Sequence, residues 1–184
     1  MNPADYGWWL ASRASGVVAL VLVTVSVAIG LTMASKVVTT RGVRPVLARV
    51  HEHTALAGLI AIAVHGITLI GDAWLNPGVD GVLIHFSMGY QPLYTGLGTI
   101  AGYLAVALGL SFYARRRIGA KLWRKAHRAT VVVYVLAIVH TLGAGTDAGS
   151  SWLRAFMLAT GLPVFVLFVL RVRPAKARLQ EVTT

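Results

Sequence analysis

The chain has 184 residues, of which 57% are hydrophobic and only 12% charged, with a formal net charge of +11 and no cysteine. A soluble domain carries about a quarter charged residues, so this balance, with a mean hydropathy of +0.71, excludes a water-soluble enzyme and reads as one membrane-embedded domain over 1–184. The missing cysteine rules out disulfides, iron–sulfur clusters, zinc–thiolate sites and C-x-x-C-H haem attachment.

Met1–Arg13 lacks a basic n-region, contains Asp5 and has no small-residue cleavage site after the apolar run, so it is not read as a secretory signal. Span one is predicted over Ala14–Ser35, span two over Ala48–Gly71, span three over Thr95–Ala114, span four over Arg128–Gly145 and span five over Trp152–Leu170. Each is close to the roughly 20 apolar residues that a tilted transmembrane helix needs. Backbone polar groups in lipid must be satisfied internally, and alternation of period two, the mark of a barrel, is absent. The predicted fold is an all-α, polytopic helical bundle of about five transmembrane helices.

Span two carries His51, His53 and His65; His127 stands at the edge of span four and His140 inside it. The 23-residue segment Asp72–Tyr94 contains Asp80, His85 and Tyr90, and unstructured loops of that length are often functional. His85 there reads as an ordinary loop residue. In span three Gly98 and Gly102 stand four apart, followed by Gly109; in span one Ser26 and Gly30 do the same. Small residues at that interval let helices approach closely in lipid.

The basic residues fall in alternate loops. Lys36, Arg41, Arg44 and Arg49 follow span one; Arg115, Arg116, Arg117, Lys121, Arg124, Lys125 and Arg128 follow span three; Arg171, Arg173, Lys176 and Arg178 form the tail. Only Arg13 and Arg154 of the 17 lie on the other side. The positive-inside rule predicts the N-terminus outside, the C-terminus inside, and a multi-pass protein of a cell membrane, of the bacterial inner-membrane type. Trp8, Trp9, Trp74, Tyr90, Tyr94 and Trp152 flank the outer ends, as interfacial aromatics do. This distribution, rather than a nucleic-acid surface, explains the positive charge. The basic face is suited to anionic lipid or an acidic partner.

Ionisable residues inside a span are costly and usually functional. Spans two and four run in the same direction, and His51 and His127 begin them. Fourteen positions separate His51 from His65 and thirteen separate His127 from His140, climbs of roughly 21 and 20 Å. The lower two can therefore face each other, and so can the upper two. In angular phase His51 and His65 lie about 40° apart on one face, whereas His53 is about 120° from His65 and is the poorer ligand. His127 and His140 are about 140° out of phase in an ideal helix, a discrepancy that crossing, twist or an irregular first turn must absorb. Two height-matched pairs read as the axial ligands of two stacked haems. A histidine-dependent metal transporter and a non-redox structural subunit are the alternatives; the spans are nearly free of the carboxylates that metal transport would usually want.

The stretch "LWRKAHRATVVVYVLAIVHTL", with Trp123 four positions before its first histidine, and the stretch "WLASRASGVVAL" resemble the second haem helix and the first-helix start of the ferric-reductase-like transmembrane domain family. That family includes NADPH oxidases, ferric reductases and the haem-containing membrane subunit of a periplasmic methionine sulfoxide reductase system. The resemblance covers nearly the whole chain. It implies that His51, His65, His127 and His140 bind two non-covalent b-type haems per chain. In the sulfoxide-reductase branch the cytoplasmic first-helix histidine is commonly missing; its presence here as His51 favours two haems.

Bis-histidine ligation closes the iron to substrate and favours electron transfer. The chain is therefore expected to be the haem-containing membrane component of an oxidoreductase. Arg13, at the outer end of span one, is the candidate donor to an outer haem propionate; Arg49, Arg124 and Arg128 are the inner candidates. About 14 residues follow span five and no G-x-G-x-x-G occurs, so no FAD or NAD(P) site is expected in this chain. The electron donor is expected to be separate, a flavoprotein or a quinol, and the acceptor extracytoplasmic.

Overall fold

The computed structural model describes residues 3–35, 37, 38, 40 and 42–172. Lys36, Arg41, Arg173, Lys176 and Arg178, which carry part of the charge asymmetry, lie outside the described residues. The described residues form seven helices: α1 Pro3–Ser35, α2 Val43–Ile70, α3 Gly78–Leu83, α4 Pro92–Ile118, α5 Ala120–His127, α6 Thr130–Ala144 and α7 Ser151–Val172. Five stretches are long and apolar enough to cross a membrane: Tyr6–Ser35, Val43–Ile70, Pro92–Ile118, Ala120–Ala144 and Ser151–Val172.

All five predicted spans are present, and most are longer than hydropathy alone indicates. Helix α1 begins eleven positions earlier than Ala14, because nothing in 3–13 breaks it and Pro3 opens its first turn, where a proline forfeits no helical bond. Pro92 opens α4 in the same way. The fourth span is preceded by one break and interrupted by another. Gly119, at φ 89°, separates α4 from α5 with a backbone conformation that L side chains avoid. A second break at Arg128 and Ala129 separates α5 from α6. The segment between spans two and three is not structureless; it contains the short helix α3.

Helix α1 is the central post. It packs along α2 and also against α7 and α6, while α4 packs on α6 and α5 and more briefly on α2. One core cluster joins Val27 and Leu31 of α1 to Tyr134 of α6 and Val164 of α7. A second joins Leu20 to Leu153 and Met157. Leu158, Leu162 and Phe165 of α7, and Ile60 and Ile67 of α2, are more than 60% exposed; an apolar outer face of that kind is solvated by lipid. Helices α2 and α6 share no long packed seam. They face each other chiefly through side chains, and that interval holds the site.

Candidate functional site

The four singled-out histidines come together in twos. The rings of His51 and His127 have centroids 6.1 Å apart at 90°. Those of His65 and His140 are 6.4 Å apart at 70°. An imidazole nitrogen sits about 2.0–2.1 Å from a bound transition metal. With about 1.1 Å from that nitrogen to the ring centre, two imidazoles on opposite sides of one metal have centroids about 6.2 Å apart. Both pairs stand at that spacing. Among the described residues no group of three or more His, Cys, Asp or Glu side chains converges. Two imidazoles suit an iron whose other four ligands come from a macrocycle.

The rings are also turned the right way. Nδ1 of His65 bonds the carbonyl of Ser12 at 2.8 Å, and Nδ1 of His51 bonds that of Ser26 at 2.9 Å. Nδ1 of His140 bonds the carbonyl of Tyr94 at 2.9 Å. A carbonyl only accepts, so each of these nitrogens carries its proton and donates. That leaves Nε2 as the unprotonated nitrogen available to a metal, the usual arrangement of a metal-bound histidine.

His127 differs. Its buried Nδ1 faces the Leu108 backbone, but the contact falls short of hydrogen-bond geometry. Instead the ring stacks on Trp123, centroids 4.9 Å apart and planes 25° apart. Trp123 in turn donates to Ser111 Oγ at 3.2 Å and tilts against Phe112 at 5.9 Å.

The break beside His127 resolves the thirteen-residue spacing. Ala129 N bonds Ala126 O, Val131 N bonds Arg128 O and Val132 N bonds Ala129 O. These i to i−3 bonds are 3₁₀ geometry, which advances about 120° per residue instead of 100°. About five such steps recover roughly 100° of the 140° offset, and His127 rejoins the face of His140.

Arg13 lies at the His65–His140 end. Its Nε donates to Asp147 Oδ2 at 2.5 Å, its Nη2 to Asp147 Oδ1, and its guanidinium lies 5.0 Å over Trp9. Asp147 was not expected as its partner. A guanidinium has five N–H groups, so three stay available. His53 is exposed and bonds the Arg49 carbonyl of its own helix, at 2.7 Å. His85 is exposed and packs edge-on to Phe86. Neither joins the pairs.

The sequence did not single out the carbonyls of Ser12, Ser26 and Tyr94, or the stacking role of Trp123. The signal for the first two was present: Ser12 and Ser26 are fourteen apart on α1, the interval that separates His51 from His65 on α2.

Among known families, the ferric reductase like transmembrane component matches residues 15–138. That stretch holds His51, His65 and His127 and ends two residues before His140. No curated protein and no solved structure matches the chain.

Proposed function

The chain belongs to the ferric reductase like transmembrane family, whose domains move electrons across membranes and generally bind haem, and from that premise we propose that it carries electrons through two stacked haems b. His51 and His127 hold one, and His65 and His140 the other. The observation that carries this reading is the centroid spacing of 6.1 and 6.4 Å, with Nδ1 turned away into carbonyls in three of four rings.

A haem iron between two imidazoles supplies a one-electron couple with no open coordination position. The protein's own part is to hold each pair of rings, keep Nε2 unprotonated and set the two sites about 21 Å apart along α2. The charge pattern supports an orientation with the His51–His127 end inside and the His65–His140 end outside. With a haem held at each site, one electron at a time would leave a flavoprotein or quinol at the basic end, cross from the inner pair to the outer one, and reduce an extracytoplasmic acceptor. A cell interior held negative favours that direction by about 2.3 kcal/mol per 100 mV.

Arg13 is assigned to a propionate of the outer haem. Asp147 fixes its fork and leaves three N–H groups to donate. At the inner end Arg49, Arg124 and Arg128 serve the same purpose.

The test is haem stoichiometry. A pyridine haemochrome assay on the purified chain is expected to give two haems b per chain with low-spin spectra. A value near one removes the two-haem assignment, and a value near zero removes electron transfer through this site.

A further inference from the structure

In an α-helix the carbonyl of residue i takes the amide of residue i+4. A carbonyl oxygen has a second lone pair, but inside a helix the side chain of residue i+4 crowds the approach to it. The three carbonyls that accept from histidine rings here belong to Ser12, Ser26 and Tyr94. The residues four positions on are Gly16, Gly30 and Gly98. In each case the ring occupies the space that a side chain would take. A Cβ at Gly16 would stand 3.1 Å from Cε1 and Nδ1 of His65, and one at Gly30 would stand 3.3 Å from Cε1 of His51. A Cβ at Gly98 would stand 2.7 Å from Cγ and Cε1 of His140.

The fourth position breaks the pattern in a telling way. Leu108 lies fourteen positions after Tyr94 on α4, as Ser26 lies fourteen after Ser12 on α1. Its backbone lies beside His127. Four positions on from Leu108 is Phe112, and there the ring nitrogen approaches the Leu108 backbone without reaching hydrogen-bond geometry. Ordinary helix packing accounts for other glycines: Gly102 meets Ile62 and Gly109 meets Leu59 of α2. Gly16, Gly30 and Gly98 meet histidine rings.

We propose that a carbonyl at i with a glycine at i+4 forms a histidine seat, used three times, and that Gly16, Gly30 and Gly98 are positioning residues for His65, His51 and His140. Each seat fixes the ring plane and the Nδ1–H tautomer, and with them the electronic character of the iron that the ring ligates. The second half of that statement rests on the haem reading above; the seat itself is a contact within the protein. The outer site has two seated rings and the inner site one, so the inner site is the adjustable one.

Single glycine-to-alanine variants of the purified chain test this, by potentiometric titration with electron paramagnetic resonance of the low-spin signals. Gly16→Ala and Gly98→Ala are expected to shift or abolish the His65–His140 transition and leave the other in place. Gly30→Ala should affect the His51–His127 transition alone, and least of the three. Gly58→Ala is the control, because a Cβ there would meet Leu22 and Val23 at the ordinary contact distances of 3.5 and 3.7 Å; both transitions should be unchanged.

Should Gly98→Ala fail to fold, Gly16→Ala tests the same site. Ser26 Oγ lies 3.2 Å from His51 Nδ1, so Ser26→Ala should shift the His51–His127 transition slightly and leave the other in place. Glycine variants that move both transitions together, or neither, overturn the proposal. A wild-type chain without haem would instead refute the electron-transfer reading. The seats would then be judged by ¹⁵N shifts of the histidine rings, with the Nδ1–H form at His65 expected in the wild type and lost in Gly16→Ala.

Discussion

At one end of the bundle, His65 and His140 each turn Nδ1 into a backbone carbonyl and stand inside unbroken stretches of α2 and α6. At the other end, the inner one in the proposed orientation, only His51 does so. His127 closes the eight-residue α5, beside a 3₁₀ break, and is held by the face of Trp123. One site is fixed by two hydrogen bonds from rings on regular helix. The other combines one fixed ring with one that rests on an aromatic stack. A hydrogen bond to a carbonyl sets both tautomer and orientation, whereas a stack sets orientation alone. The pair spacings of 6.1 and 6.4 Å are nevertheless almost equal, so ring distance and ring security are separate properties.

The largest expected effect comes from removing a ligand. His65→Ala should eliminate the outer transition and leave the inner one, and His51→Ala the reverse. His53→Ala should leave both. If His53→Ala abolishes a transition while His51→Ala does not, the inner pairing is wrong, and optical redox titration of the three variants decides it.

Next is the stack. Aromatic pairs contribute about 0.5–1.5 kcal/mol beyond their buried area. Trp123→Ala should therefore weaken haem retention at the inner site by roughly two- to tenfold while the outer site keeps its haem. Haem transfer to apomyoglobin, followed over time, measures this directly. Equal loss from both sites would mean that Trp123 serves the bundle rather than His127.

The smallest effect is electrostatic, and its sign can be reversed. Arg13 is 38% exposed on its side chain, which reduces a charge-assisted contact toward about 1 kcal/mol. Arg13→Ala removes a positive charge and leaves Asp147 unbalanced, so the outer midpoint potential should fall. Asp147→Asn leaves the guanidinium unbalanced, and that potential should rise. The inner potential should not follow in either variant. Two shifts of the same sign would remove Arg13 from the outer site.

The asymmetry between the sites also marks what the sequence could and could not convey. The five spans were legible because lipid demands long apolar helices, and the pairing of His51 with His127 and His65 with His140 followed from helix rise and parallel direction. The fourteen-residue interval keeps phase in a regular helix, so α2 was read correctly. The thirteen-residue interval does not, and nothing in "HRATVVV" announces the 3₁₀ turn at Arg128 and Ala129 that absorbs the offset. Helix α3 was missed because six residues between loop signals carry too little periodicity. Gly98 and Gly30 were seen as helix-contact residues, which small side chains in lipid ordinarily are; that they receive histidine rings depends on which helix lies opposite. The Arg13–Asp147 pair, 134 positions apart, leaves no local trace at all.

In the proposed function one chain holds two bis-histidine irons at two separate levels. Potentiometric titration of the purified wild-type chain, followed by electron paramagnetic resonance, tests it most directly. Two one-electron transitions of equal amplitude, both from low-spin bis-imidazole iron, are the expected result. A single transition, or a high-spin signal from an iron with an open position, would contradict it.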